Sequence, residues 1–327
     1  MFSRRRDARP GRSARRTRAL GVLAALVAAA LAACTGGATP QEPAPTTLAP
    51  DAAAAPAQGP TPTSEITVHE TGPEGFPGAY AVPEGLSADD PRPAVLAFGG
   101  SEGGSQGGRV LAEAIAGLGY PALGIGYFQG VDQPAALEEV PVETFLDALA
   151  WLRDQPGVDG DAVLAFGASR GGEMALWLAA NRPDLVQGAI APVGADAVMC
   201  GYPDASVSAW TLGGEALPCS ADWTAASDAD PAARIPVDSI TGPVILACGT
   251  EDDVWYSCGY LRRAERALDR RGQGTTVAIV GEGAGHDVST PPWIEYSTGD
   301  AARDAAGLDA RRQLWSAVDE VLATLDS

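Results

Sequence analysis

Six short apolar runs, set apart by stretches of helical period, constrain the fold of this chain more than any other feature. The runs lie at 94–98, 121–126, 162–166, 188–192, 244–248 and 276–280, preceded by short strand candidates at 65–69 and 78–82, with helical patterns at 109–117, 142–153, 171–180, 259–271 and 308–325. Short runs this apolar read as strands buried on both faces, and the intervening helical stretches supply the crossovers that parallel neighbours require. The pattern predicts an α/β chain with a doubly wound, mostly parallel sheet. Sheets of that kind collect their chemistry in loops at the carboxyl ends of the strands, so those loops hold the candidate residues.

Four loops carry them. After the run 162–166 comes Gly167-Ala168-Ser169-Arg170-Gly171, followed at once by a helical pattern. A corner that tight needs glycine on both sides and exposes the central hydroxyl, which makes Ser169 a candidate nucleophile; an ordinary Gly-rich turn is the plainer reading. After 94–98 comes Gly99-Gly100-Ser101-Glu102-Gly103-Gly104. Here the backbone N–H groups of Gly100 and Ser101, together with that of Arg170, are the predicted oxyanion donors. The loop lacks Gly-x-Gly spacing and Glu102 would repel phosphates, so a dinucleotide site is disfavoured, while a merely flexible loop stays open. After 244–248 comes Gly249-Thr250-Glu251-Asp252-Asp253, where an acid can accept a histidine N–H and fix its tautomer. Spacing favours Asp252, with Glu251 and Asp253 as alternatives. After 276–280 comes Gly283-Ala284-Gly285-His286. The chain has only two histidines, His69 and His286, and His286 completes the order nucleophile, acid, base, which makes it the candidate general base. Two histidines supply a zinc site poorly, and no metal or cofactor is predicted.

Charge narrows the partners. The 327 residues include 22 Arg, no Lys and 42 acidic residues, a net charge of −20. Eight of the Arg fall within the first 18 residues, so the chain beyond residue 33 counts 14 basic against 41 acidic, a net −27. Nucleic acid, which needs a basic surface, is excluded as a partner. The Arg-rich start, the small apolar run 19–33 and Cys34 read as a signal peptide, the run being shorter than the ~20 residues of a spanning helix. Leu31-Ala32-Ala33-Cys34 resembles the bacterial lipoprotein box. That predicts an extracytoplasmic protein bound to the cell membrane only through lipid on Cys34; a signal cut near Ala33 with Cys34 incidental is the alternative. From 35 to 63, 21 of 29 residues are Pro, Ala or Thr, the composition of a tether reaching up to ~90 Å. The predicted organisation is a signal peptide at 1–33, a tether at 34–63 and a globular domain at 64–327. Four further cysteines in an oxidising compartment suggest two disulfides, with three pairings open. Cys200 with Cys219 and Cys248 with Cys258 is the favoured set, closing an irregular excursion at 194–239 and bracketing the acid loop; buried free thiols are the alternative.

The stretch from about 91 to 292 resembles the C-terminal catalytic domain of the acyl-CoA thioesterase and bile acid-CoA:amino acid N-acyltransferase family. The resemblance rests on 93–104, on 167–173, on 242–252 with Trp255 following, and on Gly285-His286 ahead of Pro291-Pro292. It implies an α/β-hydrolase fold with Ser169, Asp252 and His286 as a triad. It also implies hydrolysis, because the family's transferases to amino acids carry Cys where its thioesterases carry Ser. Dienelactone-hydrolase-like enzymes share the layout, typically with Cys at that corner. The excursion would lie over the site as a partial cap, and Trp210, Trp223 and Trp255 are candidates for an acyl pocket or for plain packing. The combined expectation is a serine acyl hydrolase acting on a small-molecule ester or thioester through an acyl-enzyme on Ser169. Its rivals are an acyltransferase to an amine or alcohol and a solute-binding lipoprotein without catalysis. Acyl-chain length, leaving group and oligomeric state are not legible in the sequence.

Overall fold

The computed structural model describes residues 59–70, 77–221 and 230–327. The signal peptide, Cys34, most of the tether and Trp223 lie outside the described residues. In chain order the elements are β1 (Ile66–His69), β2 (Gly78–Pro83), β3 (Arg92–Phe98), α1 (Gln106–Gly117), β4 (Ala122–Ile125), β5 (Val140–Pro141), α2 (Glu143–Arg153) and β6 (Val158–Gly167). They continue with α3 (Arg170–Asn181), β7 (Gly188–Pro192), β8 (Trp210–Leu212), β9 (Glu215–Ala216), β10 (Val244–Gly249), α4 (Ser257–Leu268), β11 (Thr276–Gly281) and α5 (Ala301–Leu325).

Eight strands form one sheet in the order β1-β2-β4-β3-β6-β7-β10-β11. Both pairings of β2 are antiparallel, and every pairing from β4 to β11 is parallel. Side chains alternate across the central strands, so each strand feeds two cores. Ala94, Leu96 and Phe98 of β3 face a core shared with α2, α3 and α4, whereas Val95 and Ala97 face the core of α1 and α5. β10 repeats this, with Leu246 and Cys248 on the first side and Ile245 and Ala247 on the second. Burial on both faces is why these runs read as continuously apolar.

Two helices begin three or more residues earlier than their periodicity indicates. α1 starts at Gln106 rather than 109, because Gly107 and Gly108 hide its first turn. Gly108 is required there: a Cβ would stand 2.6 Å from Ile125 O on β4. α5 starts at Ala301 rather than 308, capped by the Asp300 carboxylate, which accepts the N–H groups of Ala302 and Arg303. The excursion has structure of its own, since β8 pairs with β5 and β9 in a separate three-stranded sheet. Strands of two or three residues carry no readable period, so the sequence shows only irregularity there. Cys200 is bonded to Cys219 and Cys248 to Cys258, the favoured pairings.

Candidate active site

Ser169 stands where β6 turns into α3. Its backbone lies at φ 55°, ψ −119°, a conformation that costs ~1–3 kcal/mol for a residue with a side chain. The surroundings hold it there: Ser169 N–H donates to Pro192 O at 3.1 Å and Ala168 N–H to Phe98 O at 3.3 Å. The motif glycines are sterically necessary, because a Cβ on Gly167 would collide with Gly171 O and one on Gly171 with Gly99 O. The corner therefore presents its hydroxyl at the carboxyl edge of the sheet.

His286 lies on a turn just after β11 and meets that hydroxyl. Its Nε2 is 2.9 Å from Ser169 Oγ, and its Nδ1 is 2.8 Å from Asp252 Oδ2. An ionised carboxylate only accepts, so Nδ1 carries the ring proton and Nε2 accepts the serine O–H. Asp252 also accepts the Ser257 hydroxyl at 2.6 Å and the N–H groups of Val254 at 3.0 Å and Trp255 at 3.3 Å. Burial pushes its carboxyl up, but His286 and the Ser257 and Val254 donors outweigh burial and hold it below the usual carboxylate range. Of the competing acids, Asp253 turns away into a two-pronged pair with Arg303 at 3.0 and 3.2 Å, and the Glu251 side chain is exposed.

Behind the oxyanion loop lies Tyr127, a residue that sequence reasoning passed over. Its buried hydroxyl packs against Gly99 O at 3.1 Å and Gly100 O at 2.5 Å. In a trans peptide the N–H points opposite to the C=O, so this contact aims the N–H groups of Gly100 and Ser101 away from Tyr127. Gly100 N–H, expected as an oxyanion donor, donates here to the Glu102 carboxylate at 2.8 Å, because Glu102 folds back over its own loop. The Arg170 amide shares the Ser169 corner, while its side chain is buried against Glu173 and the carbonyls of Met199 and Cys200.

Trp210 and Trp255 do not line the cleft. Trp210 is fully buried among Tyr127 and Phe145 with its Nε1 donating to Glu173 at 2.6 Å, because β8 draws it into the core. Trp255 is 6% exposed; its Nε1 donates to Val193 O, and its ring meets the His286 ring edge-on at 6.5 Å, so it backs the imidazole. The cleft, about 410 Å³, is walled instead by Glu102, Val254, Ser289 and Tyr202, the last being the residue through which the excursion reaches the site. An apolar pocket of about 300 Å³ adjoins it between Val110 and Leu111 of α1 and Pro291, with Glu102, Ala168 and Ser289 common to both. Ser257 and Tyr127 both follow the carboxyl ends of strands, the one signal that would have drawn attention to them.

Comparison with solved structures settles the architecture. A Pyrobaculum calidifontis esterase superposes with a TM-score of 0.51 at 19% identity, covering 81% of this chain and 87% of that one. A Pyrococcus horikoshii acylaminoacyl peptidase gives 0.51 at 14% identity, covering 79% of this chain and 40% of that one. The fold is that of the α/β-hydrolases. Within this hydrolase fold, residues 140–302 match the family model for the BAAT / acyl-CoA thioester hydrolase C terminal, a segment containing Ser169, Asp252 and His286. Among curated relatives, the mitochondrial acyl-coenzyme A thioesterase 2 of Rattus norvegicus is 26% identical over 200 residues, covering 58% of this chain and 44% of the relative. Acyl-coenzyme A thioesterase 6 of Mus musculus is 29% identical over 208 residues, covering 61% of this chain and 49% of the relative. The chain thus spans less than half the length of these two relatives.

Proposed function

We propose that this chain is a serine acyl hydrolase that cleaves a small-molecule ester or thioester. The observation that carries the reading is the unbroken hydrogen-bonded line from Ser169 through His286 to Asp252, mounted on a strained corner at the edge of an open cleft. His286 Nε2 takes the hydroxyl proton as Ser169 Oγ bonds to the carbonyl carbon, and the carbonyl oxygen becomes an oxyanion facing the amides of Arg170 and of the Gly100-Ser101 corner. Collapse breaks the bond to the leaving alcohol or thiol, which receives the proton from the imidazolium. Water then repeats the sequence on the acyl-enzyme and regenerates the free hydroxyl. Asp252 stabilises the imidazolium in both halves. The names of the relatives, which are acyl-coenzyme A thioesterases, support the class of reaction. A pure binding role would leave the strain at Ser169 without a use.

The same proposal places the enzyme outside the cytoplasm, anchored through Cys34. The Arg-rich start and apolar run ahead of that cysteine support this, as do the two disulfides. The test is hydrolysis of p-nitrophenyl butyrate and of butyryl-coenzyme A by the parent and by Ser169→Ala. The expected result is turnover of at least one substrate with kcat reduced by a factor of about 10⁴ or more in the variant. Equal activity of parent and variant would rule the mechanism out.

A further inference from the structure

The catalytic cleft carries a fixed negative charge beside the reacting centre. Among the described residues lining it, Glu102 is the only carboxylate. Its Oε2 accepts Gly100 N–H at 2.8 Å, and Gly100 abuts the nucleophile so closely that a Cβ there would stand 2.9 Å from Ser169 Cβ. The second carboxylate oxygen is bedded among glycines, since a Cβ on Gly99 or Gly107 would collide with Glu102 Oε1. The loop is thus shaped around this side chain, and Glu102 also stands where the cleft meets the apolar pocket.

We propose that Glu102 sets the charge selectivity of the site, favouring esters of cationic alcohols over neutral ones and both over thioesters whose leaving group bears phosphates. The inference rests on the acyl-hydrolase reading above. A carbonyl oxygen that enters the oxyanion site must take Gly100 N–H from Glu102, and the displaced carboxylate, exposed in the cleft wall, has only water as its partner unless the leaving group brings another. A cationic leaving group supplies that partner. A phosphate-bearing one brings like charge to it, on a chain whose net charge of −20 adds to the repulsion.

The experiment uses the full chain and one acyl group on three leaving groups: butyrylthiocholine, p-nitrophenyl butyrate and butyryl-coenzyme A. Each kcat/KM is compared between the parent and Glu102→Gln, which keeps an acceptor for Gly100 N–H and removes the charge. The expected result, measured relative to whatever change the neutral ester shows, is a fall of about tenfold for the choline ester and a rise of about tenfold for the coenzyme A thioester. A common factor for all three substrates would overturn the proposal. Should the variant fail to fold, the salt dependence of the parent decides the matter. The choline-to-coenzyme A ratio of kcat/KM must fall as ionic strength rises from about 0.02 to 0.5 M, and a ratio independent of salt counts against Glu102. Ser169-independent turnover, or none of any substrate, would remove the hydrolase reading and this inference with it.

Discussion

One hydroxyl decides which way two peptide groups face. Tyr127 is fully buried, and burial together with the nearby Glu102 charge pushes its phenol well above its ordinary range, so it remains a donor at any working pH. Tyr127→Phe removes its contact with Gly99 O and Gly100 O, and kcat is expected to fall about tenfold with KM little changed, at a stability cost of ~1 kcal/mol. Steady-state kinetics beside a denaturant melt separates the two effects; unchanged kcat would mean that the loop holds its shape unaided. Asp252→Asn offers an amide in place of an acceptor-only carboxylate, so the imidazole tautomer is no longer enforced and kcat is expected to drop by about 10⁴. Asp252 also gives the fold a pH dependence. Its folded pKa lies below the unfolded value of ~3.9, so its stabilisation is present above that value and is lost as pH falls through the folded one. Melting temperatures taken from neutral pH downward are expected to show a shallower acid limb in Asp252→Asn than in the parent. Ser169 and His286 were legible because each follows a strand within a glycine-rich signature. Tyr127 was not, because its role lies in two carbonyls that no side-chain pattern announces.

Among the elements, α3 does more than continue from the Ser169 corner. Its first turn carries Arg170 and Glu173, a buried ion pair at 3.2 Å that reaches out to the excursion. Arg170 holds the carbonyls of Met199 and Cys200, and Glu173 accepts the indole N–H of Trp210. Burial pushes the Glu173 carboxyl up against the opposing pull of Arg170 and Trp210, which marks how costly this charge is to enclose. Glu173→Gln leaves Arg170 without its countercharge and is expected to destabilise the fold by ~3–5 kcal/mol, read as a lower denaturant midpoint. A midpoint within error of the parent would show that the excursion does not depend on this pair. α5 plays the matching part at the other end of the site: Arg311 donates to Thr290 O, Pro291 O and Ile294 O, pinning the segment that follows His286. The strands and helices flanking the site follow from hydrophobic period, but these cross-links join residues far apart in sequence and leave no periodic trace.

At the scale of the molecule, the two disulfides divide their labour by location. Cys248 is the penultimate residue of β10 and Cys258 the second of α4, so their bridge spans the loop that carries Asp252, a sequence separation of 10. Cys200 and Cys219, separated by 19, close the excursion that brings Tyr202 to the cleft. Each closure contributes ~2–4 kcal/mol by restricting the unfolded chain. Replacing Cys248 and Cys258 by Ala is expected to lower both melting temperature and kcat. The same change at Cys200 and Cys219 is expected to lower melting temperature and alter KM, with kcat largely kept. Paired melts and kinetics on the two double variants check this, and identical kinetic profiles would refute the division.

The sequence by itself determined the sheet and the loops in which the candidate residues lie. Alternating short apolar runs and helical periods require crossover-connected parallel strands, and the glycines around Ser169 admit only a tight corner. Which acid faces the histidine, what Trp210 and Trp255 do and where the Gly100 amide points were decided by the tertiary structure alone. Asp252 was only preferred among three neighbouring carboxylates until Arg303, from α5, drew Asp253 aside. Trp210 read equally as pocket or packing until β8 set it against Glu173 and Tyr127. The reason is the same in each case: local conformation is a matter of neighbours along the chain, whereas the partner of a polar or aromatic group is whatever the packed fold brings within hydrogen-bonding or van der Waals reach.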